Sequence, residues 1–451
     1  MDKTNKRIWL SGFAIVIFFT AVFALHGLLQ EPAVHTPLRH LFTTYEVSTD
    51  ENGAKCVNNS DKAFERIEAG KMNSWDAEHY KRIKETLYTT ERIECWAFFP
   101  LFSLVWRATG LDSLGIGILN CLLFAIGMLI MFKIFENKLP LWGFLLVLCV
   151  PYLVIFMMPY TEALFFLCIA AGLYGIIKEK YRLYFVGFLL ASMTKASASI
   201  LIPVFLFAEI ISATYHRKPL FFLARFGKRI LPVVLGLLCV MVFQKLRGAE
   251  NFHQFFISQK IWGKYLSLPT LPFTDWSSEG KSITDPFLLL YSIPMVVVLL
   301  RAFLRGLKRK EGEKITIWQY TRLISLLFLT GNIFTALLTQ HGGLYSLARY
   351  LLSTPFFVFL LFDTVKNRRN KIWEAVYAFV GLITVVLCIY NFVKADFAGT
   401  WLVMLGSLLA FFHRKFGKRV LYFALAAGIL LNICWTAYMF NCFLLDAWIF
   451  T

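Results

Sequence analysis

The sequence predicts an all-α, polytopic membrane protein, and three observations predict it. The 451 residues are 58% hydrophobic and only 16% charged, with a mean hydropathy of +0.62. Apolar runs of about twenty residues, the length that crosses a bilayer, recur from end to end. Lys and Arg collect in alternate short loops, as the positive-inside rule requires. The chain reads as one integral membrane unit over residues 1–451.

The first apolar run, 8–29, follows the basic start Asp2-Lys3-Thr4-Asn5-Lys6-Arg7. It is longer than a signal-peptide core and no small-residue cleavage site follows, so it reads as a retained signal anchor. Further runs at 112–132, 140–158, 160–177, 182–194, 197–213 and 230–246 make the next six expected spans. The last six are 286–304, 318–339, 346–363, 372–392, 398–412 and 420–440. Two of the thirteen, 182–194 and 398–412, are short for a full crossing.

The loops set the expected orientation. With the N-terminus in the cytoplasm, the inside loops carry Lys178, Lys180 and Arg182, then Arg217, Lys218, Arg225, Lys228 and Arg229. The inside stretches 301–314, 366–371 and 414–419 are also basic, whereas 157–160, 341–345 and 393–399 carry Lys394 alone. This distribution accounts for the formal charge of +18 without nucleic acid. Seven of the nine Cys fall in or just beside spans without metal-ligand spacing; Cys56 and Cys95 share the first outer loop and could pair in an oxidising compartment.

Two segments are too long to be simple turns, and both lie on the outer side: 30–111 and the aromatic, proline-rich 247–285. The densest polar stretch, Asn73-Ser74-Trp75-Asp76-Ala77-Glu78-His79-Tyr80, is in the first of them. With Asn73 or Ser74 as a helix cap, Asp76, His79 and Tyr80 share one face, continued by Ile83. Trp75 and Tyr80 suit a membrane–water interface, and 96–107 forms a second interfacial helix candidate. The segment thus presents a carboxylate and an imidazole to a cavity, or else a helix-start acid favoured by the dipole beside a solvated His.

Other polar groups gather on the same side. Glu162 stands at the start of its span, as a functional acid or a dipole-favoured one. Lys195, a lone cation on the depleted side, fits phosphate binding or snorkelling to the interface. Arg349 falls about one turn inside a span, an expensive place without an anion, and His341 sits at the adjacent rim. Asp275, Glu279 and Asp285 form a hydrated face of the second loop. No Walker loop, nucleophile elbow, HExxH or CxxC pair is present. An outer-facing site without a nucleotide motif fits a membrane-borne activated donor.

Trp75-Asp76-Ala77-Glu78-His79-Tyr80, then Phe98-Phe99-Pro100-Leu101, then Pro159-x-Thr161-Glu162-Ala163-Leu164, resembles the PIG-V family of GPI mannosyltransferase II enzymes and their prokaryotic relatives. Arg349-Tyr350 followed by Pro355 is similar to a later part of that family. The resemblance implies a GT-C-type fold and an inverting transfer, most simply of mannose, from a polyprenyl-phosphate donor to an acceptor hydroxyl. The acceptor, whether glycolipid, glycan or protein, is left open. Asp76 is then the general base, with Glu78, His79 and Glu162 as the remaining catalytic candidates. Arg349, Lys195 and His341 bind the donor phosphate, and neither metal nor other cofactor is required. Membrane lipids and a small membrane partner subunit complete the expected partners, and a bacterial inner membrane the expected location. The rival expectation is a transporter or flippase of a lipid-linked sugar, which calls for mid-membrane ionisable groups and broken helices.

Overall fold

A computed structural model describes residues 3–38, 44–49, 55–60, 64–136, 138–212, 219–268, 284–308, 315–340, 344, 346–367 and 397–446. The expected span 372–392, His341, Asp275 and Glu279 lie outside the described residues. Among the described residues the protein is helical apart from one antiparallel ribbon, β1 (Thr44–Thr49) with β2 (Lys55–Ser60), which the all-α expectation omitted. Six helices among the described residues are long and apolar enough to cross a membrane, which makes this a multi-pass membrane protein.

The chain opens with α1 (Lys3–Leu29) and the short α2 (Pro32–Leu38). The first loop then supplies α3 (Asp76–Thr86) and α4 (Pro100–Thr109), and α5 (Ser113–Ile134) returns through the bundle. Pro100 suits the first turn of α4, where its missing N–H is not needed, and Gly110 ends that helix in the left-handed conformation. Asp112 caps α5 by accepting from the Gly115 N–H at 2.7 Å. The cap of α3 differs from expectation. Trp75, with φ 57° and ψ −127°, precedes the helix and no side chain caps it. Asn73 instead donates to the Ala69 and Gly70 carbonyls at 3.0 and 2.8 Å, and its Oδ1, the atom a cap would use, accepts from the Ser113 hydroxyl.

The expected span 140–158 is not one helix. It divides into α6 (Leu141–Leu145), a 3₁₀ turn at Leu146–Cys149 and another at Leu153–Met157, with Pro151 and the left-handed Tyr152 (φ 68°) between the turns. Proline removes a backbone donor and forbids the helical path. A broken backbone inside an apolar bundle needs polar partners. Asn432 donates to the Leu148 and Val150 carbonyls at 2.7 and 2.8 Å, and Asn120 to those of Met158 and Tyr160 at 2.6 and 3.0 Å. Hydropathy reported that the segment is buried, not that it is helical. Replacing Asn432 by Leu should strip two buried carbonyls and cost about 1–3 kcal/mol. A melting midpoint in detergent equal to that of the parent would count against this role.

The helical hairpin α7 (Glu162–Ile177) and α8 (Tyr181–Thr194) packs backbone to backbone. A Cβ on Gly187 would lie 2.6 Å from the Gly172 nitrogen, and one on Gly175 would lie 2.3 Å from that of Tyr184. Glycine is therefore the residue that fits. Beyond it come α9 (Leu201–Ser212), α10 (Pro219–Leu246), the short α11 (Gln254–Ile261), α12 (Thr284–Leu307) and α13 (Ile317–Thr339). The expected span 346–363 breaks at Ser353-Thr354 into α14 (Leu347–Leu352) and α15 (Pro355–Lys366), because Pro355 starts a new helix capped by Thr354. Finally α16 (Phe397–Phe412) and α17 (Lys418–Leu444) pack on each other and on the interrupted 146–149 turn.

Candidate functional site

Four elements remote in sequence meet at one end of the bundle. The strained turn at Trp75 makes Asp76 the first residue of α3, where the positive end of the helix favours its carboxylate. Glu162 holds the same position in α7, and Lys195 follows the last turn of α8. Arg349 comes from α14, which the left-handed Ser346 (φ 61°) turns into place.

The guanidinium of Arg349 joins the two acids. Its Nη2 lies 2.7 Å from Asp76 Oδ2 and its Nε lies 2.6 Å from Glu162 Oε1. Lys195 Nζ reaches the same Glu162 oxygen at 2.7 Å. The Arg349 side chain is 4% exposed and that of Glu162 1%, whereas Asp76 is 23% exposed. The accessible carboxylate of the pair is thus Asp76, and Glu162 acts as the sealed anchor of two cations. Tyr160 lies under the guanidinium, its ring centroid 4.7 Å from Cζ. Tyr80, fully buried, places its hydroxyl 3.4 Å from that of Thr161, behind Glu162. Burial raises the Tyr80 phenol well above its ordinary value, so it stays neutral.

A third cation approaches from the second long loop. Ser267 N donates to the Leu338 carbonyl at 2.8 Å, tying that loop to the end of α13. Lys264 then places its Nζ 3.3 Å from the Tyr350 hydroxyl and 5.6 Å from the centre of its ring, and Lys195 Nζ lies 5.0 Å from the same ring centre. Tyr350 raises the Lys264 ammonium above its ordinary value against the opposing effect of burial. Sequence reasoning missed Lys264, which sits in a loop notable for its aromatics. Nothing in the sequence separates it from the other cations of that loop, Arg247, Lys260 and Lys281.

Glu78 and His79 turn elsewhere. Glu78 is 49% exposed and pairs with Arg82 one turn along α3. His79 stacks on Phe98, with ring centroids 4.8 Å apart and planes 19° apart, and meets Trp262 edge-on at 5.1 Å. Cys95 Sγ lies 3.7 Å from His79 Nδ1 as a free thiol, and the side chain of Cys56, its expected partner, lies outside the described ones. This aromatic joint holds the two long loops together, with Gln244 Nε2 donating to the Trp96 carbonyl at 2.9 Å.

Burial lowers the His79 imidazole below its ordinary 6.5, against the opposing charges of Asp76 and Glu78. Below that pH the unfolded chain binds the proton more readily than the folded one, so stability should fall as pH drops below 6.5. His79→Phe keeps a ring on Phe98 and should reduce this acid sensitivity. Parallel melting midpoints for the two proteins between about pH 7 and 5 would refute the assignment.

Among the described residues, no group of three or more His, Cys, Asp and Glu side chains could hold a metal ion. Fold and site together define a helical multi-pass membrane protein with a buried network of two carboxylates and two cations at one end. Comparison with protein-family models, curated proteins and solved structures returns no match to this chain.

Proposed function

We propose that the protein is a PIG-V-like glycosyltransferase of GT-C type, with thirteen spans and its site on the outer face of the membrane. It transfers a sugar, mannose on the family resemblance, from a polyprenyl-phosphate donor with inversion. The supporting observation is the 2.7 Å contact between Asp76, in the motif that carries the resemblance, and Arg349, in the matching downstream segment. Two residues singled out separately in sequence are in direct contact.

The chemistry follows from the arrangement. Asp76 keeps a second oxygen to accept the proton of an acceptor hydroxyl as that oxygen attacks the anomeric carbon. The bond from the anomeric carbon to the phosphate oxygen breaks, and the lipid phosphate leaves with the electron pair. Arg349, Lys195 and Lys264 surround the place where that charge settles. Tyr160 and Tyr350 hold the cations by their rings, and Glu162 fixes Arg349 and Lys195 in position. The two long loops are joined beside this network through His79 and Trp262.

The test is transfer by the purified protein in liposomes from radiolabelled polyprenyl-phosphate mannose, beside the glucose and arabinose donors. Label passing from lipid to acceptor supports the reading and names the sugar. A second reading, a transporter or flippase of the lipid-linked sugar, is favoured by the interrupted segment at 141–157. Intact donor crossing the bilayer without transfer would decide for it.

A further inference from the structure

The end of the bundle away from Arg349 carries a second arrangement that the proposed transfer does not use. Lys138, in the turn after α5, and Lys366, at the end of α15, both approach the ring of Trp318 on α13. Their ammonium groups lie 4.0 and 3.9 Å from its centroid. The ring supplies only a partial counter-charge to each cation. Among the described residues no carboxylate forms an ion pair with either Lys. The nearby Glu136 is engaged by Lys178 at 3.3 Å. Asp363 is engaged too: it accepts from Trp318 Nε1 at 2.6 Å, from Arg322 Nε at 2.6 Å and from Asn367 Nδ2 at 2.7 Å. Burial, and then the like charges of Lys366 and Lys178, hold the Lys138 ammonium below its ordinary value.

Asp363 also forms the wall of a cavity. The chamber, of about 540 Å³, runs between α12, α13, α15 and α16 and is lined by Leu326, Leu329, Leu352, Leu360, Val403 and Phe411. Arg322, Asp363 and Asn367 are its polar end. Neither Lys lines the chamber, but Trp318, which both approach, donates to Asp363 in its wall, and the chamber has the size that takes a small ligand, about 300–1,000 Å³. A molecule that satisfies both has an anionic head and a hydrocarbon tail. Basic pockets between spans are where anionic lipid headgroups bind.

We propose that this end holds an anionic phospholipid, its phosphate between Lys138 and Lys366 and one acyl chain in the chamber behind Asp363. The test uses the full chain in detergent, titrated with phosphatidylglycerol or with phosphatidylcholine of the same chains. Phosphatidylglycerol should raise the melting midpoint by several degrees more than phosphatidylcholine. Native mass spectrometry should retain one such lipid. The Lys138→Gln/Lys366→Gln double variant should lose the difference between the lipids, and Val403→Phe, which narrows the chamber, should lose it with both Lys intact. Equal shifts from the two lipids, or an unchanged difference in the double variant, would overturn the proposal. So would an equal shift from inorganic phosphate, which has no chain. If Val403→Phe abolishes retention of polyprenyl phosphate but not of phosphatidylglycerol, the chamber serves the donor and the proposal fails.

Discussion

Arg349→Met should abolish sugar transfer and also be the most destabilising single change at the site. Removing one partner of a buried ion pair leaves the other charge uncompensated, a cost of about 3–5 kcal/mol. Here one guanidinium serves Glu162, sealed at 1% exposure, as well as Asp76. Lys195 would retain its own contact with Glu162, so the expected outcome is a lowered melting midpoint in a chain that still folds. The double variant Arg349→Met/Glu162→Gln should recover part of the stability, because the stranded carboxylate is gone, and none of the activity. The coupling between the two changes separates the structural role from the catalytic one. Arg349→Lys should behave nearer to Met than to Arg, since a point charge cannot replace a planar fork that addresses two carboxylates. A single Met variant with parental melting and transfer would remove Arg349 from both roles.

The second large effect is expected at Asp76. Asn retains the shape of the side chain and an oxygen for Arg349, so Asp76→Asn should fold and melt close to the parent. Transfer should nonetheless fall by about 10²–10⁴, the usual contribution of a positioned general base. Donor binding should persist, because Lys195, Lys264 and Arg349 remain. An Asn variant with the parental rate would reduce Asp76 to a structural partner of Arg349. Glu78→Gln is the internal control: its exposed pair with Arg82 has little energetic weight, and the rate should hold.

Much of the helical content was legible, because a run of apolar residues long enough to cross a bilayer has few other uses. Such runs gave α1, α5, α13 and α17 nearly to their ends. The 140–158 run shows the limit. It is as apolar as its neighbours, yet only Pro151 hinted at the break, and the asparagines that sustain it, Asn120 and Asn432, lie far away in sequence. The ribbon was missed although Asn52-Gly53, a strong hairpin-turn signal, stands between its strands. At the site, Asp76 stood out in the densest polar stretch of the first long loop, and Glu162, Lys195 and Arg349 singly, as ionisable groups at or just inside the ends of apolar segments. Sequence could not show that they touch. The expected shared face of Asp76 and His79 did not form a common pocket, because Phe98 and Trp262 take the imidazole as a packing surface. Helical spacing says which residues are neighbours on α3, but not which other element each one meets.

Glu162 begins α7 and Lys195 directly follows α8, so their contact fastens the open end of a hairpin whose interior is set by the close glycines. This half of the network is local in sequence, whereas Arg349 is supplied by a helix much nearer the C-terminus. The order of the chain therefore completes the Glu162–Lys195 pair of residues well before Arg349 is made, so both partners of that contact are present before the guanidinium exists. The glycine spacing that fixes the register of α8 along α7 also fixes which oxygen is already occupied when Arg349 arrives.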